Sequence, residues 1–194
     1  MYYNQRGELV SRALGSTARI PRARAEGGLK YEPRLTYRYS PQELLEISQA
    51  INQEVLCGAT PQFWEDVRVG DTVTPLLKGP LNITDMICWY SGGGHIYKAH
   101  ERAEHYRKRH PADAYTDPET GAQDHPARGH AQEYMAREVG MPGGYDVGLQ
   151  RISWLGQLMT HWMGDDGFLR RLNVSLTRPN IFGDISWCRG TVLD

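Results

Sequence analysis

The sequence of 194 residues lacks an uninterrupted apolar run of the length that a membrane-spanning helix needs. Its longest candidate, residues 152–163, is broken by polar side chains at Ser153, Gln157, Thr160 and His161. The first ten residues, MYYNQRGELV, also lack the apolar core of a signal peptide. We therefore expect no membrane partner.

The sequence has few cysteines and a net charge close to zero. The three cysteines, Cys57, Cys88 and Cys188, are odd in number and lie far apart, without the spacing of a metal site. They are typical of small buried thiols in a reducing compartment, so we expect a cytoplasmic protein. The 22 lysine and arginine residues nearly balance 23 aspartate and glutamate residues, which gives a net charge of −1. This balance predicts no nucleic-acid partner.

The strongest positive feature is a predicted helix over residues 145–165 with little polar surface. Its apolar residues at helical spacing are Leu149, Ile152, Gly156, Met159 and Met163, and the stripe is widened by Trp154, Leu155, Leu158 and Trp162. A helix that is apolar nearly all round must be enclosed by a sheet or by other helices. We therefore expect this helix at the centre of the fold.

The two ends of this helix carry their own signals. Asp146 is placed to cap the first turn, and Gly164 is placed to end the last one. The segment that leads into the helix, MPGGYDVG, is rich in glycine, and the amides of a first helical turn have no partners inside the helix. We therefore predict that the helix N-terminus binds an oxyanion or a carbonyl oxygen.

The flanking segments predict a mixture of helices and strands. Residues 2–20 are expected to form a β-hairpin that turns at Gln5-Arg6-Gly7, followed by a linker over residues 21–39. Ser40 and Glu43 form a capping box for a helix that ends near Cys57. The remaining predicted elements are a strand within 63–77, a helix capped by Thr84, a charged helical stretch at 96–110, a long irregular loop at 112–129, a short helix at 133–139, and strands at 168–178 and 184–194.

Few residues fall into a motif that carries chemistry. The sequence contains no phosphate-binding loop, serine nucleophile elbow or HExxH metal motif. The histidines at 95, 100, 105 and 110 are five residues apart, so they would lie on different faces of a helix. Asp124 and His130 could together activate a water molecule as general acid and base. They could equally cap a turn and the helix that follows it.

The order of several segments resembles the MaoC-like enoyl-CoA hydratases and dehydratases, a family with the hot-dog fold. The similar segments are FWEDVRVGD from Phe63, LNITDMI from Leu81, HAQEYMAREVGMPGGYDVG from His130, the helix from Gly148, and LNVSLTRPNIFGDISWCRGTV from Leu172. Together they span residues 63–193. The resemblance implies an α+β fold in which an antiparallel sheet wraps around the long central helix.

The resemblance also implies a division of the chain. The N-terminal hairpin, residues 1–20, is similar to the last hairpin of a preceding hot-dog half. Residues 21–60 would form a linker and a helix, and residues 61–194 a MaoC-like hot-dog domain without its last strands. Alternatively, the hairpin folds back and supplies the edge strands of the same sheet. The expected assembly is a homodimer, or a heterodimer with another hot-dog half.

The family's usual catalytic pair is an aspartate and a histidine five residues apart. In this chain His130 matches the histidine, Asp124 lies one residue further away than the family spacing, and His95 stands where the aspartate is expected. The predicted catalytic residues are therefore His130 and Asp124, with His95 in reserve. The predicted substrate-binding residues are Gly144, Val147 and Gly148 at the start of the central helix, and Arg178 at the turn between the last strands.

The activity that the resemblance implies is the reversible hydration of a 2-enoyl-CoA thioester without a metal or another cofactor. His130 and Asp124 would activate the water, and the Gly148 N–H would polarise the thioester carbonyl. Two alternatives stay open. One is a non-catalytic hot-dog subunit that completes the acyl pocket of a partner half. The other is a thioesterase on the same fold, for which the sequence offers no dedicated nucleophile.

Overall fold

The computed structural model describes residues 1–16, 31, 34–92, 98–113 and 115–194. The helices are α1 (Pro41–Asn52), α2 (Ile83–Gly92), α3 (His100–Arg109), α4 (Glu133–Glu138) and α5 (Gly148–Met163). The strands are β1 (Tyr2–Tyr3), β2 (Leu9–Ser11), β3 (Thr72–Lys78), β4 (Tyr115–Thr116), β5 (Gln123–Asp124) and β6 (Ser186–Thr191). Short 3-10 turns lie at Trp64–Asp66, Pro111–Asp113 and Pro126–His130. None of the described helices combines the length and apolar character needed to cross a membrane.

The strands form short antiparallel pairs within the described ranges: β1 with β2, β3 with β6, and β4 with β5. In the β3–β6 pair, Leu76 lies opposite Cys188, and Lys78 lies opposite Ser186. Helices and antiparallel strands are thus combined in one chain, and the predicted α+β class is confirmed.

The core lies where α5 packs across the β3–β6 pair. One buried cluster consists of Val73, Leu76, Leu158 and Cys188. A second cluster beside the start of α5 consists of Leu81, Met86 and Val147, and so joins α2 to the helix start. Trp154 packs against both clusters. The N-terminal half of α5 is therefore held by apolar contacts from two directions.

Helix α5 begins later than the sequence predicts and ends at the predicted glycine. Val147 precedes the first turn, and no side chain caps it, so the predicted cap at Asp146 is wrong. The Asp146 carboxylate instead accepts hydrogen bonds from Asn180, a partner distant in the sequence. Gly164 terminates the helix with φ 73° and ψ −176°, which confirms its predicted role.

The predicted enclosure of α5 is found only in part, because most of its residues are partly buried while Leu149, Ser153 and Thr160 are exposed. Gln150 and Leu158 are the fully buried residues of α5, and Leu149 is 63% exposed. The β3–β6 pair covers one face of the helix, and within the described ranges no third strand joins that pair. Residues 168–178, predicted as a strand, have no strand pairing and are mostly exposed.

Other helix starts follow local hydrogen bonds. The capping box of α1 is confirmed, because the Glu43 amide donates to Ser40 Oγ while the Ser40 amide donates to the Glu43 carboxylate. The predicted cap at Thr84 is wrong. Asn82 holds that position, since its side-chain oxygen accepts hydrogen bonds from the Thr84 and Asp85 amides.

Replacing Gly164 with alanine tests the end of α5. Only glycine readily adopts φ 73° and ψ −176°, and an added Cβ would lie 2.9 Å from the carbonyl oxygens of Gly58 and Thr60. We expect Gly164→Ala to lower the free energy of unfolding by about 3 kcal/mol. Urea unfolding followed by circular dichroism measures the loss.

Gly140→Ala is the matched control, because φ is also positive at Gly140 (82°) but nothing lies within 4 Å of an added Cβ. Its loss should be about 1 kcal/mol, which reflects the backbone conformation alone. Equal losses in the two variants would contradict the crowding at Gly164.

Candidate active site

His130 lies beside the N-terminus of α5. It is the last residue of the 3-10 turn Pro126–His130. Its ring Nδ1 lies 3.0 Å from the carbonyl oxygen of Tyr145, which is three residues before the first residue of α5. The two rings also pack together, with centroids 4.2 Å apart. Because a carbonyl oxygen only accepts, Nδ1 donates, and Nε2 keeps the lone pair in the neutral ring. His130 is thus held in the tautomer of a base.

Burial lowers the pKa of His130 below its ordinary value. Hydrogen bonds with the backbone of Tyr145 and Asp146 act in the opposite direction, and the charge of nearby His125 lowers the pKa further. Since the ordinary imidazole pKa is about 6.5, the ring is neutral at pH 7. A neutral ring whose Nε2 carries the lone pair is able to take a proton from water.

The segment before α5 is attached to a turn near the C-terminus of the chain. The attaching contacts are a bridge between Tyr145 and Ile181, a hydrogen bond from the Asp146 amide to the Asn180 carbonyl (3.0 Å), and one from the Phe182 amide to the Gly144 carbonyl (2.8 Å). A Cβ on Gly144 would lie 2.8 Å from the Phe182 ring, so this close approach requires glycine. The predicted substrate-binding residue Gly144 therefore has a packing role in the structure.

The Asp146 side chain completes this attachment. It is 1% exposed, and its carboxylate accepts hydrogen bonds from the Asn180 amide and side chain, each at 3.2 Å. Arg151 of α5 forms an ion pair with it, with Nε 2.5 Å from Oδ2. Burial nevertheless dominates and raises the pKa of Asp146 to about 6. Asp146 thus fixes where α5 begins.

The first turn of α5 begins with amide groups that have no partner inside the helix. The carbonyl of Val147 accepts hydrogen bonds from the Gln150 and Arg151 amides, which starts the helix. The earlier amides, beginning with Gly148, have no acceptor within the helix, and the helix dipole gives this end a partial positive charge. A carbonyl or enolate oxygen is the kind of group that such an end stabilises.

Asp124 lies in a different hydrogen-bonded cluster. Its carboxylate is 2.9 Å from Arg128, whose guanidinium also contacts Asp117 at 2.7 Å and Tyr134 at 2.9 Å. Hydrogen bonds from the Thr120 amide and from Arg128 lower the pKa of Asp117. This cluster, together with the β4–β5 pair, gives defined structure to a segment predicted as an irregular loop. Among the described residues, no hydrogen bond or ion pair joins Asp124 to His130.

Of the two remaining predicted site residues, Arg178 and His95, the structure describes only Arg178. Arg178 is exposed, and its backbone carbonyl accepts a hydrogen bond from Arg151, the ion-pair partner of Asp146. His95 lies outside the described residues. Within the described part of the chain, no group of three or more histidine, cysteine, aspartate or glutamate residues is placed to hold a metal ion.

A cavity of about 720 Å³ borders the residue that follows His130, namely Ala131. It is largely open to solvent, and its lining comes from residues 36–39, residues 80–83, the turn at Phe182 and Gly183, and Leu44 of α1. This cavity was not predicted, because residues 21–39 were predicted to form a linker. The closely spaced aromatic residues Tyr37 and Tyr39 in that stretch were the signal that could have revealed it.

Comparisons with models of protein families, with curated proteins and with solved structures find no match for this chain. The fold class and the geometry around His130 therefore stand on the chain's own residues. The comparisons show neither a family nor an activity for this chain.

The pH dependence of stability tests the burial of Asp146. Its folded pKa of about 6 lies above the unfolded value of about 3.9, so between these values the folded state binds more protons than the unfolded state. Raising the pH from 4 to 7 should therefore remove about 2 kcal/mol of stability through this one group. Asp146→Asn, which cannot ionise, should lack that loss.

Urea unfolding of both proteins at several pH values gives the difference directly. The other titrating groups are common to both proteins, so the difference between the two curves reports Asp146 alone. Parallel curves from pH 4 to pH 7 would contradict the raised pKa.

Proposed function

We propose that this chain is a MaoC-like hot-dog protein that reversibly hydrates a 2-enoyl-CoA thioester. The observation that carries the proposal is the position of His130, which is oriented by a backbone carbonyl beside the N-terminus of α5. Addition of water to an enoyl thioester needs one group that takes a proton and another that stabilises the enolate oxygen. His130 and the first turn of α5 supply these two groups.

The hot-dog fold is part of the proposal. Its support is the packing of a long helix, α5, on the antiparallel β3–β6 pair. A second hot-dog half, from another copy or from another chain, would extend this pair and cover the exposed face of α5. The exposed Leu149 lies on the part of the helix that would gain such cover.

The reaction follows from the proposed roles. Nε2 of His130 takes a proton from water as the water oxygen bonds to C3 of the enoyl group. The electrons of the C2–C3 double bond move toward the carbonyl, and the Gly148 N–H stabilises the resulting enolate oxygen. A proton then returns to C2, so that one water molecule is added and His130 is neutral again.

A non-catalytic subunit is the second candidate function. The observation that favours it is the ion pair between Asp124 and Arg128, which occupies the carboxylate that was expected to assist His130. In this case the chain would shape the acyl pocket of a catalytic partner half. It would then show no hydration activity alone and would raise the activity of that partner.

Replacing His130 with glutamine tests the primary proposal. Glutamine can still donate a hydrogen bond to the Tyr145 carbonyl but cannot act as a base. We expect kcat/KM for crotonyl-CoA hydration, followed by the loss of enoyl absorbance, to fall by about a hundredfold or more. In the unmodified protein kcat/KM should fall only below about pH 6.5, because the pKa of His130 is lowered from that value.

His105→Gln is the matched control, since the His105 side chain is 60% exposed on α3. It should keep the activity and the pH profile of the unmodified protein. If His130→Gln hydrates crotonyl-CoA as fast as the unmodified protein, His130 is not the base.

A further inference from the structure

Asp117 is a buried carboxylate at the turn between β4 and β5. Its exposed fraction is 5%, although the residues on either side of it are exposed. One oxygen, Oδ1, accepts hydrogen bonds from the amides of Glu119 and Thr120, each at 2.9 Å. This oxygen therefore closes the turn between the two strands. The other oxygen, Oδ2, makes contacts outside that turn.

Oδ2 of Asp117 connects the β4–β5 pair to two other elements. Arg128 of the 3-10 turn donates to it at 2.7 Å, and the Tyr134 hydroxyl of α4 donates to it at 3.0 Å. Arg128 also donates to the Tyr134 oxygen at 2.9 Å, so the three side chains close a circuit of hydrogen bonds. We call these three side chains the Asp117 network. Asp124 contacts Arg128 as well, but it is 42% exposed, so Asp117 is the partner better shielded from water.

The backbone of the same 3-10 turn leads directly to His130. The Arg128 carbonyl accepts a hydrogen bond of 2.8 Å from the amide of Ala131, the residue after His130. Gly129 packs against Tyr145, because an added Cβ would lie 3.2 Å from the tyrosine ring. The turn is thus held by the Asp117 network on one side and lies against Tyr145, whose carbonyl orients His130, on the other.

We propose that Asp117 is a positioning residue for His130. Through its network it holds the 3-10 turn where Nδ1 of His130 meets the Tyr145 carbonyl. Among the described residues, no hydrogen bond or ion pair joins Asp117 to His130 itself, so Asp117 acts through the turn. The inference rests on the proposed function only for its consequence in hydration, since the orientation of the ring involves no reaction.

NMR of the imidazole nitrogens of His130 tests the inference without any substrate. In the unmodified protein the neutral ring should carry its proton on Nδ1, and its pKa should lie below about 6.5. In Asp117→Asn the side-chain oxygen can still accept the amides of the turn, but the charge that binds Arg128 is lost. We expect the pKa of His130 to rise toward 6.5 and its proton to be shared between Nδ1 and Nε2, because a displaced turn exposes the ring to water.

The titratable residues beside His130 are the same in every variant. They are His125, just before the 3-10 turn, Tyr145, whose ring packs on the imidazole, and Asp146, whose backbone contacts it. A change in the pKa of His130 therefore reports the position of the turn.

Two further variants isolate the Asp117 network. Tyr134→Phe removes one hydroxyl of the network and keeps the aromatic ring, whose centroid lies 5.9 Å from Arg128. It should change His130 in the same direction by a smaller amount, and it decides the question if Asp117→Asn does not fold. Glu119→Gln is the matched control, since this exposed carboxylate in the same turn has no hydrogen bond or ion pair among the described residues. It should leave the tautomer and the pKa of His130 unchanged.

Kinetics locate the same effect in the reaction. Asp117→Asn should lower kcat for crotonyl-CoA hydration by about tenfold or more and leave KM nearly unchanged, because the base is displaced while the binding groups stay in place. The acidic limb of the pH profile should move to higher pH together with the pKa of His130.

The outcomes separate the two proposals. If both Asp117→Asn and Tyr134→Phe fold and leave the tautomer and pKa of His130 unchanged, the positioning role is wrong even when hydration occurs. If the imidazole changes in these variants while the unmodified protein does not hydrate crotonyl-CoA, the positioning role stands and the hydratase proposal fails.

Discussion

The structure around the candidate site depends on the attachment of residues 144–147 to the turn at residues 180–182. Backbone hydrogen bonds connect Gly144 to Phe182 and Asp146 to Asn180, and the buried Asp146 carboxylate adds a charged contact to Arg151 of α5. This attachment holds the segment that leads into α5. The carbonyl that orients His130 belongs to Tyr145, inside the same attached segment. His130 and the helix N-terminus are therefore positioned by one set of contacts.

The same turn also forms the opposite side of the neighbouring cavity. The Gly183 carbonyl accepts a hydrogen bond from Tyr39 of residues 34–39, a segment called the strap, and the Gly183 amide donates to the Leu81 carbonyl at 2.8 Å. The Leu81 amide donates in return to Asp184. The turn is thus shared between the start of α5, the start of α2 and the strap.

Local signals in the sequence predict the elements well where the deciding contacts are also local. The Ser40–Glu43 capping box and the terminating Gly164 act within one helical turn, and both were predicted. Asp146 carries the local signal of a cap, yet its carboxylate binds Asn180, and no pattern within a few residues reveals that partner. The strap was predicted as a linker for the same reason, since Tyr39 gains its role only from Gly183. The α+β class and the place of His130 beside α5 could be predicted; the cavity required the long-range contacts.

The central claim is that the Gly148 amide and His130 face one enoyl thioester. It is tested most directly by recording the backbone amide resonances of ¹⁵N-labelled His130→Gln, which should bind crotonyl-CoA without converting it. As crotonyl-CoA is added, the Gly148 amide proton should move downfield as it donates to the thioester carbonyl, and the resonances of Tyr145 and Ala131 should shift with it. Saturable binding that leaves the Gly148 amide unshifted and moves resonances elsewhere would contradict the account.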